Sequence, residues 1–386
     1  MRLNRGVSEG IDSPMGEAYA LVEGVEGGEL LDLAQAAPPY PAAPEVVEHV
    51  VRVARDDRGG AYTEVPGLPK LREAFADELS RDHGARVGPE NVVVTAGCNQ
   101  AFGLVADALA GPGDEVILPL PFYFNHEMWL RMRGVRPVHL EPGPDLVPRA
   151  EDAEALITPK TRAIVLVTPG NPTGVTVAPE GIAAFAELAR RHDIALVLDE
   201  TYRSFRGTGA PSHRLYSDPG WAGTVVTLHS FSKDLAIPGY RVGAVVASPA
   251  LNREIVKLMD CIAICAPRVG QEAAWAGLTL ATGWRADRAR DIALRRARLT
   301  EAMAPAPGGF ELLTCGGFFA WLRHPFAGRP TPDVVRALAT EHHTLLLPGT
   351  AFLPDDRSTL RLSVSNLTPA ALATFTTRLT KAGAAL

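Results

Sequence analysis

Short runs of apolar residues alternate with longer segments of helical periodicity through the middle of the chain. The runs are rich in Val, Ile and Leu, which is typical of strands buried on both faces of a parallel sheet. They are Asn91–Thr95, Glu115–Leu118, Ala163–Val167, Ala195–Leu198 and Thr224–Leu228. The helical segments between and after them are Gln100–Leu109, Pro179–Arg191 and Leu251–Met259. This alternation predicts an α/β fold, with a mostly parallel sheet and helices on both of its faces.

The two ends of the chain have a different pattern. The N-terminal part is rich in loop-forming residues after one short helix, for which Ser13 is the expected N-cap and Pro14 lies in the first turn. Near the other end, a long Arg-rich helix follows Gly283, then come a strand-like segment at Gly317–Leu322 and a final helix from Pro369. We expect these end segments to form one smaller α+β domain beside the sheet.

The length supports this division, because 386 residues exceed what one small core usually holds. The predicted domains are 46–284 for the large domain and 1–45 with 285–386 for the small domain.

Composition and charge exclude several classes of function. The net charge of −6 leaves no basic surface for nucleic acid or for an anionic membrane. No apolar run approaches the roughly 20 residues of a membrane helix, and none follows Arg2 and Arg5 as it would in a signal peptide. We therefore expect a cytoplasmic protein that acts on small molecules, with neither nucleic acid nor membrane as a partner.

The cysteines do not predict a metal site. Cys98, Cys261, Cys265 and Cys315 lack the CxxC spacing of a zinc site. Their number favours buried free thiols in a reducing compartment over a disulfide framework. Walker A, complete GxGxxG, HExxH and GxSxG sequences are also lacking. We expect no bound metal, and the chemistry has to come from other motifs.

The most specific local feature is an HSFSK sequence that ends at Lys233, with a GYRVG sequence after it. Lys233 comes directly after a predicted strand, at the kind of sheet edge where α/β proteins bind ligands. A primary amine there can form a Schiff base with an aldehyde. Ser230, Ser232 and Arg241 offer donors for a phosphate. A surface lysine and a structural arginine at a strand end would give the same pattern, so it does not decide the chemistry alone.

Two further turns follow predicted strands. TAGCNQA leads through Gly97 into a helix, whose free backbone N–H groups suit an anion. VLVTPGNPTG ends a strand in a turn of prolines and glycines around Asn171, whose side chain can donate to a ligand oxygen. Many strand–glycine–helix turns like TAGCNQA bind no ligand. The alternative for VLVTPGNPTG is an ordinary tight βα turn.

Two charged residues lie where burial is expected. Asp199, in VLDETY, ends a predicted buried strand, and such a carboxylate is costly unless it is paired. A protonated pyridine nitrogen would pair with it, and the alternative is a cap on the next helix. Arg361, in LRLS, would suit capture of a carboxylate, or else it is a surface arginine on an edge strand. Together these features supply partners for a phosphate, a pyridine ring, a carbonyl and a carboxylate.

PGNPTG, DETY, SFSK and GYRVG occur in that order. With these motifs the chain resembles the class I/II aminotransferases, fold type I of the pyridoxal 5′-phosphate (PLP) enzymes, over nearly its whole length. The resemblance implies an aspartate-aminotransferase-like fold with PLP as cofactor. It implies that Lys233 forms the Schiff base and later moves the substrate's α-proton, and that Asp199 pairs with the pyridinium nitrogen. Asn171 and Tyr202 are implied as donors to the ring's 3-oxygen, which makes Lys233, Asp199 and Tyr202 the implied catalytic residues.

The resemblance also implies the remaining contacts. Tyr123 falls at the family position whose aromatic ring stacks on the cofactor ring. Arg361 falls at the family position that binds the substrate's α-carboxylate. Tyr62, in AYTEVPG, would reach the phosphate bound by the neighbouring subunit, which implies a homodimer with shared active sites. The implied phosphate contacts are Gly97, Cys98, Asn99, Ser230, Ser232 and Arg241.

The implied activity is transfer of an amino group between an amino acid and a 2-oxo acid. The alternative is non-transaminating PLP chemistry on the same scaffold, a β/γ-elimination or substitution such as the ACC-synthase-like use of S-adenosylmethionine. A PLP-sensing regulatory domain is disfavoured, because residues 1–45 are too short and too acidic for an attached DNA-binding module.

One segment departs from the family pattern. The N-terminal loop usually contains glycines before a proline, whereas here Ala34–Tyr40 reads AQAAPPY. Ala36 keeps a backbone N–H for the substrate, but the added methyl groups either reshape the pocket or change nothing. Arg268, in APRVGQ, is a second open point. It meets an acidic or phosphorylated substrate, or it forms a structural ion pair.

Overall fold

The computed structural model describes residues 1–8, 10–57, 59–207 and 210–385. Its helices are α1 (Arg5–Ser8), α2 (Pro14–Ala20), α3 (Pro44–Arg55), α4 (Pro69–His83), α5 (Cys98–Leu109), α6 (Phe124–Met132), α7 (Ala150–Glu154), α8 (Pro179–Arg191), α9 (Pro249–Ala263), α10 (Arg268–Leu280), α11 (Thr282–Met303), α12 (Thr331–Thr340) and α13 (Pro369–Ala385). Its strands are β1 (Leu31–Asp32), β2 (Val92–Thr95), β3 (Glu115–Pro119), β4 (Arg136–Leu140), β5 (Thr161–Val167), β6 (Ala195–Asp199), β7 (Val225–Ser230), β8 (Gly243–Val246), β9 (Glu311–Gly316), β10 (Phe319–Arg323), β11 (Thr344–Leu345), β12 (Leu347–Pro348) and β13 (Thr359–Ser363).

A seven-stranded sheet forms the middle of the molecule, in the order β2-β8-β7-β6-β5-β3-β4. Its neighbouring strands are parallel except at β8, which is antiparallel to both β2 and β7. Successive residues of a strand point to opposite faces, so each strand serves two cores. In β6, Leu196 and Leu198 pack with Phe185 of α8, whereas Val197 packs in a second core with Phe102 of α5. The predicted α/β fold, with helices on both faces of a mostly parallel sheet, is confirmed.

The five predicted strands of this sheet are all present, but two others were missed. The strand β4 lies at an edge of the sheet, and its sequence RPVHL contains a proline and no continuous apolar run. The strand β8 has only four residues and starts at Gly243, the last residue of the GYRVG motif. Its sequence GAVV is a continuous apolar run like those of the predicted strands, so the pattern was present but was overlooked.

The chain ends meet in a second group of strands. An antiparallel sheet has the order β12-β13-β10-β9, and β1 pairs in parallel with β11. Pairing of β1 with β11 joins the N-terminal loop to the C-terminal part of the chain. The predicted Arg-rich helix is α11, the strand-like segment is β10, and the final helix is α13. A separate core of buried side chains, including Leu299, Leu322 and Phe375, lies between them.

One local expectation is confirmed and another is wrong. Ser13 is the N-cap of α2 and Pro14 lies in the first turn, as predicted, although the Ser13 side chain makes no capping hydrogen bond. All four cysteines are free, yet only Cys98 is buried. Cys261 is exposed because α9 buries a different face, the one that carries Ile255 and Met259. Across the described ranges, no helix is long and apolar enough to cross a membrane.

A buried ion network joins α4, α11 and the turn after β7. Glu78 of α4 accepts hydrogen bonds from Arg203 and Arg285, and Arg285 also donates to Asp234 at 2.9 Å. Burial alone would raise the pKa of Glu78, but the two guanidinium groups outweigh burial and lower this pKa to about 2. Asp234 follows Lys233, so the network anchors the segment that carries the predicted Schiff-base lysine.

Replacing this carboxylate tests the network. We expect Glu78→Gln to lower the free energy of unfolding by about 3 kcal/mol at pH 7, since it leaves two buried arginines with fewer anionic partners. Because the folded pKa lies below the unfolded one, the stabilisation is full above about pH 5 and is lost as pH falls toward 2. Urea unfolding of parent and variant at several pH values should therefore give curves that converge in acid.

Glu187→Gln is the matched control, because Glu187 pairs with Arg190 on the exposed side of α8. We expect it to change stability by less than about 0.5 kcal/mol. Equal effects of the two substitutions would contradict a stabilising role of the buried network.

Candidate active site

The carboxyl ends of β5, β6 and β7 border an open cavity of about 620 Å³. Most residues singled out from the sequence line it. The lining residues are Cys98, Asn99, Tyr123, Val167, Asn171, Asp199, Thr201, Tyr202, Ser230, Ser232, Lys233, Pro238 and Arg241. The motifs, which are far apart in the sequence, meet here because parallel strands end at the same edge of the sheet.

Lys233 lies in the turn after β7, with its side chain directed into the cavity. Its Nζ donates a hydrogen bond to the backbone oxygen of Ala36, at 2.5 Å. Burial, followed by the positive charges of Arg361 and Arg241, lowers the pKa of Lys233 to about 8. Near neutral pH a useful fraction of this amine is therefore neutral and nucleophilic.

A cradle of donors lies where β2 leads into α5. Gly97 has a φ of +90°, and a Cβ atom added there would lie 2.4 Å from Nη2 of Arg241. This guanidinium also reaches the backbone oxygen of Ala96, at 3.4 Å. The hydroxyl of Ser230 accepts a hydrogen bond from the backbone N–H of Ser232, at 3.2 Å, and both serines face the cavity. A helix start, two hydroxyls and a guanidinium together suit a phosphate dianion.

Asp199 presents a buried carboxylate to the same cavity. Its Oδ1 accepts the backbone N–H of Thr201 at 2.9 Å and lies 3.7 Å from the thiol of Cys98, while Oδ2 lies 3.3 Å from Nε2 of His126. Burial opposes ionisation, but the hydrogen bonds and charge from His126 and Thr201 outweigh it and lower the pKa of Asp199. A carboxylate that stays ionised in a buried position can hold a cationic ring nitrogen.

His126 was missed by the sequence reasoning. It lies in the first turn of α6, three residues after Tyr123, and its ring stacks on Phe102 with centroids 3.9 Å apart. A histidine just after the predicted ring-stacking tyrosine was the available signal. Its contact with Asp199 could not be predicted, because it depends on how α6 packs against the end of β6.

Two tyrosines, Tyr123 and Tyr202, also line the cavity. The hydroxyl of Tyr123 accepts from Asn125 at 2.8 Å and reaches Asn99 at 3.4 Å. Burial raises the pKa of Tyr123 to about 12 and that of Tyr202 well above its usual value. Both phenols therefore remain protonated at neutral pH and can donate hydrogen bonds.

Arg361 of β13 is buried beside the cavity and is not the surface arginine of an edge strand, since β13 lies between β12 and β10. Its guanidinium donates to Oδ1 of Asn171 at 3.0 Å and to the backbone oxygen of Ala34. It also faces the rings of Phe319 and Phe352, at 4.9 and 5.0 Å from their centroids. Burial lowers the pKa of Arg361 to about 10, so it keeps its charge at neutral pH.

Tyr62 and Arg268 lie away from this cavity. The side chain of Tyr62 is 74% exposed and does not line the cavity of its own chain. Arg268 donates to the backbone oxygens of Ala61 and Tyr62, and its Nη1 is 3.8 Å from Glu272. The structure therefore gives Arg268 contacts with its own chain, of which the ion pair is the longest.

A second carboxylate, Glu200, follows Asp199 and is buried among other groups. Its Oε1 accepts from Ser212, and its Oε2 lies 3.6 Å from Nε2 of His213 and 4.0 Å from Nε2 of His229. Burial opposes its ionisation, but the two histidines and the serine outweigh it and keep the pKa of Glu200 below its usual range. This cluster does not line the cavity, so it supports the end of β6 without facing a ligand.

Comparisons with known proteins identify the family of the chain. The model of the family "aminotransferase class I and II" matches residues 28–379. An arginine–pyruvate transaminase of Pseudomonas aeruginosa is 34% identical over 310 residues, which are 78% of this chain and 77% of that protein. An aromatic aminotransferase of Arabidopsis thaliana is 30% identical over 329 residues, 83% of this chain and 82% of that protein.

The solved structure of a single mutant of Thermus thermophilus aspartate aminotransferase superposes with a TM-score of 0.91. It is 26% identical, and the alignment covers 99% of this chain and 100% of the other. The chain therefore belongs to the class I and II aminotransferase family and is an aminotransferase.

Proposed function

We propose that this aminotransferase uses PLP, held on Lys233, to transfer an amino group between an amino acid and a 2-oxo acid. The observation that carries the proposal is the meeting of Lys233, Asp199 and Arg241 in one cavity. An amine with a pKa of about 8 suits the aldehyde of PLP, a buried carboxylate suits its pyridine nitrogen, and the cradle around Arg241 suits its phosphate.

The close approach of Arg241 to Gly97 is the most direct test of whether the site fits the phosphate of PLP. A side chain there would collide with Arg241, so the glycine keeps the guanidinium and the start of α5 close together. This closeness is what several donors need in order to reach one phosphate. When bound, PLP supplies an aldehyde that condenses with amines and a pyridine ring that takes up an electron pair.

Separate residues of this chain would then move the proton, hold the pyridine nitrogen and contact the ring's 3-oxygen. Lys233, released when the substrate amine takes its place, would accept the α-proton at Nζ and return it at the cofactor side. Asp199 would keep the pyridine nitrogen protonated. The Oδ1 of Asn171 is already held by Arg361, which leaves its Nδ2 to donate, with the phenol of Tyr202, to the ring's 3-oxygen.

Substrate binding is proposed for Arg361, for Asn171, which accepts a hydrogen bond from Arg361, and for the backbone of Ala36. The oxygens of Ala34 and Ala36 accept hydrogen bonds from Arg361 and Lys233, so the loop covers both cations. A substrate carboxylate would displace the oxygen of Ala34 and form a charged pair with Arg361 in surroundings made apolar by Phe319 and Phe352.

We propose a homodimer with shared active sites, to which Tyr62 of each copy contributes. The proposed domains remain 46–284 for the large domain and 1–45 with 285–386 for the small domain, and the cavity lies on the large domain.

Four free cysteines support a reducing compartment such as the cytoplasm. Elimination or substitution is not favoured, because the similar proteins are named as aminotransferases or transaminases.

The half-reaction tests the function. With PLP bound and no acceptor added, an amino acid should release one equivalent of its 2-oxo acid per subunit, and a second 2-oxo acid should restore the absorbance of the lysine-bound cofactor. Lys233→Ala should lose that absorbance and slow the half-reaction by about 10²- to 10⁴-fold, since it removes the amine that moves the proton.

Lys257→Ala is the matched control, because Lys257 is exposed and pairs with Glu254 on α9, and it should behave as the parent. Failure of every amino acid in a broad panel would reject transamination. Released methylthioadenosine would support the substitution chemistry instead. Retention of a lysine-bound cofactor in Lys233→Ala would reject the anchor.

Arg361→Leu tests the carboxylate clamp. We expect kcat/KM for amino acids to fall about 10- to 100-fold, mainly through KM, because one charge-assisted interaction is lost. Arg323→Leu on the adjacent β10, where the arginine pairs with Glu311 at the surface, is the control and should leave KM unchanged. Steady-state kinetics measure both, and an unchanged KM in Arg361→Leu would exclude the clamp.

A further inference from the structure

We propose that Arg268 is a positioning residue, which fixes the backbone of Ala61 and Tyr62 and so holds the exposed Tyr62 phenol ready for the phosphate site of a second copy of the chain. The inference rests on the proposed function, because that function places Tyr62 in a shared active site. It assigns Arg268 to the cofactor site of the partner rather than to recognition of an acidic substrate.

The guanidinium of Arg268 is directed at two successive carbonyl groups. Its Nε donates to the oxygen of Ala61 at 2.9 Å, and its Nη2 donates to that of Tyr62 at 3.3 Å. Nη1 faces Glu272, which also binds Nε2 of His49 at 2.8 Å. The two hydrogen bonds of Arg268 therefore go to the backbone of its own chain, and Arg268 does not line the cavity that contains Lys233. Both observations favour a role in holding this backbone over contact with a substrate in that cavity.

The first turn of α10 holds the rest of the same segment. Gln271, one turn after Arg268, is fully buried, and its side chain donates to the hydroxyl of Thr63 at 2.9 Å and accepts the backbone N–H of Leu68 at 2.7 Å. Two side chains of one helical turn thus hold the chain from Ala61 to Leu68. The backbone that carries Tyr62 is therefore fixed before any partner binds.

The phenol of Tyr62 contrasts with this fixed backbone, since its side chain is 74% exposed. Ile262 and Ile264, which precede α10, are also exposed large apolar residues, at 58% and 39%. Exposed large apolar side chains favour contact with another protein surface over contact with water. Anchoring the loop in advance lowers the entropy lost when its tyrosine binds.

The test compares Arg268→Ala, Arg268→Lys, Tyr62→Phe and the double variant with the parent. The first measurement is the dissociation constant of PLP from the holoenzyme, and the second is the rate at which chymotrypsin, which cleaves after Tyr and Phe, cuts the native holoenzyme after residue 62. We expect Arg268→Ala and Tyr62→Phe each to weaken PLP binding about 5- to 10-fold, the effect of one hydrogen bond. The double variant should be no weaker than either single one.

Chymotryptic cleavage after residue 62 should be faster in Arg268→Ala and in the double variant, which lose the contacts to the two carbonyls, but not in Tyr62→Phe. Arg268→Lys should recover most of the PLP affinity, because an ammonium can donate to one of the two carbonyls. Arg190→Ala, which removes an exposed arginine on α8, is the control and should match the parent in both measurements. If Arg268→Ala weakened PLP binding through a structural change unrelated to Tyr62, its effect would add to that of Tyr62→Phe, and the double variant would bind PLP more weakly than either single variant.

The outcomes separate the two proposals. Normal PLP affinity in Tyr62→Phe would reject the shared phosphate contact, and this inference with it. Weakened PLP binding in Tyr62→Phe, together with normal PLP affinity and a normal rate of chymotryptic cleavage in Arg268→Ala, would overturn this inference alone. A rise in KM confined to acidic amino acids in Arg268→Ala, with PLP binding unchanged, would also overturn it, because Arg268 would then contact the substrate.

Discussion

The end of β6 carries two adjacent carboxylates, Asp199 and Glu200, and the site depends on keeping both of them charged while buried. Neighbouring residues of a strand point to opposite sides, so the two charges need separate sets of partners. Asp199 has His126, Thr201 and the proposed ring nitrogen, whereas Glu200 has Ser212 and His213. The second set stabilises the strand end, and the first is left with one side facing the cavity.

The sequence was sufficient where a residue's role depends on its position relative to a strand. Lys233, Asp199 and Asn171 each follow an apolar run, and parallel strands bring such positions to one edge whatever the details of packing. Gly97 was interpretable for a similar reason, since only glycine combines its positive φ with the close approach of Arg241. The resemblance to a family then gave each position a chemical role.

Features that depend on how separate elements pack could not be predicted. The position of His126 after Tyr123 was a signal that it lies near the site, but its contact with Asp199 depends on where α6 places its first turn. The strand β8 has an apolar sequence, but its antiparallel pairing with both β2 and β7 depends on the arrangement of the whole sheet. The contact between Arg268 and the backbone of Tyr62 joins residues 206 positions apart. Such contacts can be identified only from the three-dimensional arrangement of the helices and strands.

The N-terminal loop covers Lys233 and Arg361 with the backbone oxygens of Ala36 and Ala34 rather than with side chains. Every amino acid carries that oxygen, so the loop could exchange alanine for glycine or another small residue during evolution and keep the same electrostatic function. Its side chains would then be free to follow selection on substrate shape. The unusual alanines of this loop are therefore compatible with ordinary chemistry at the two cations, and variability at these positions would measure divergence in substrate choice rather than loss of catalysis.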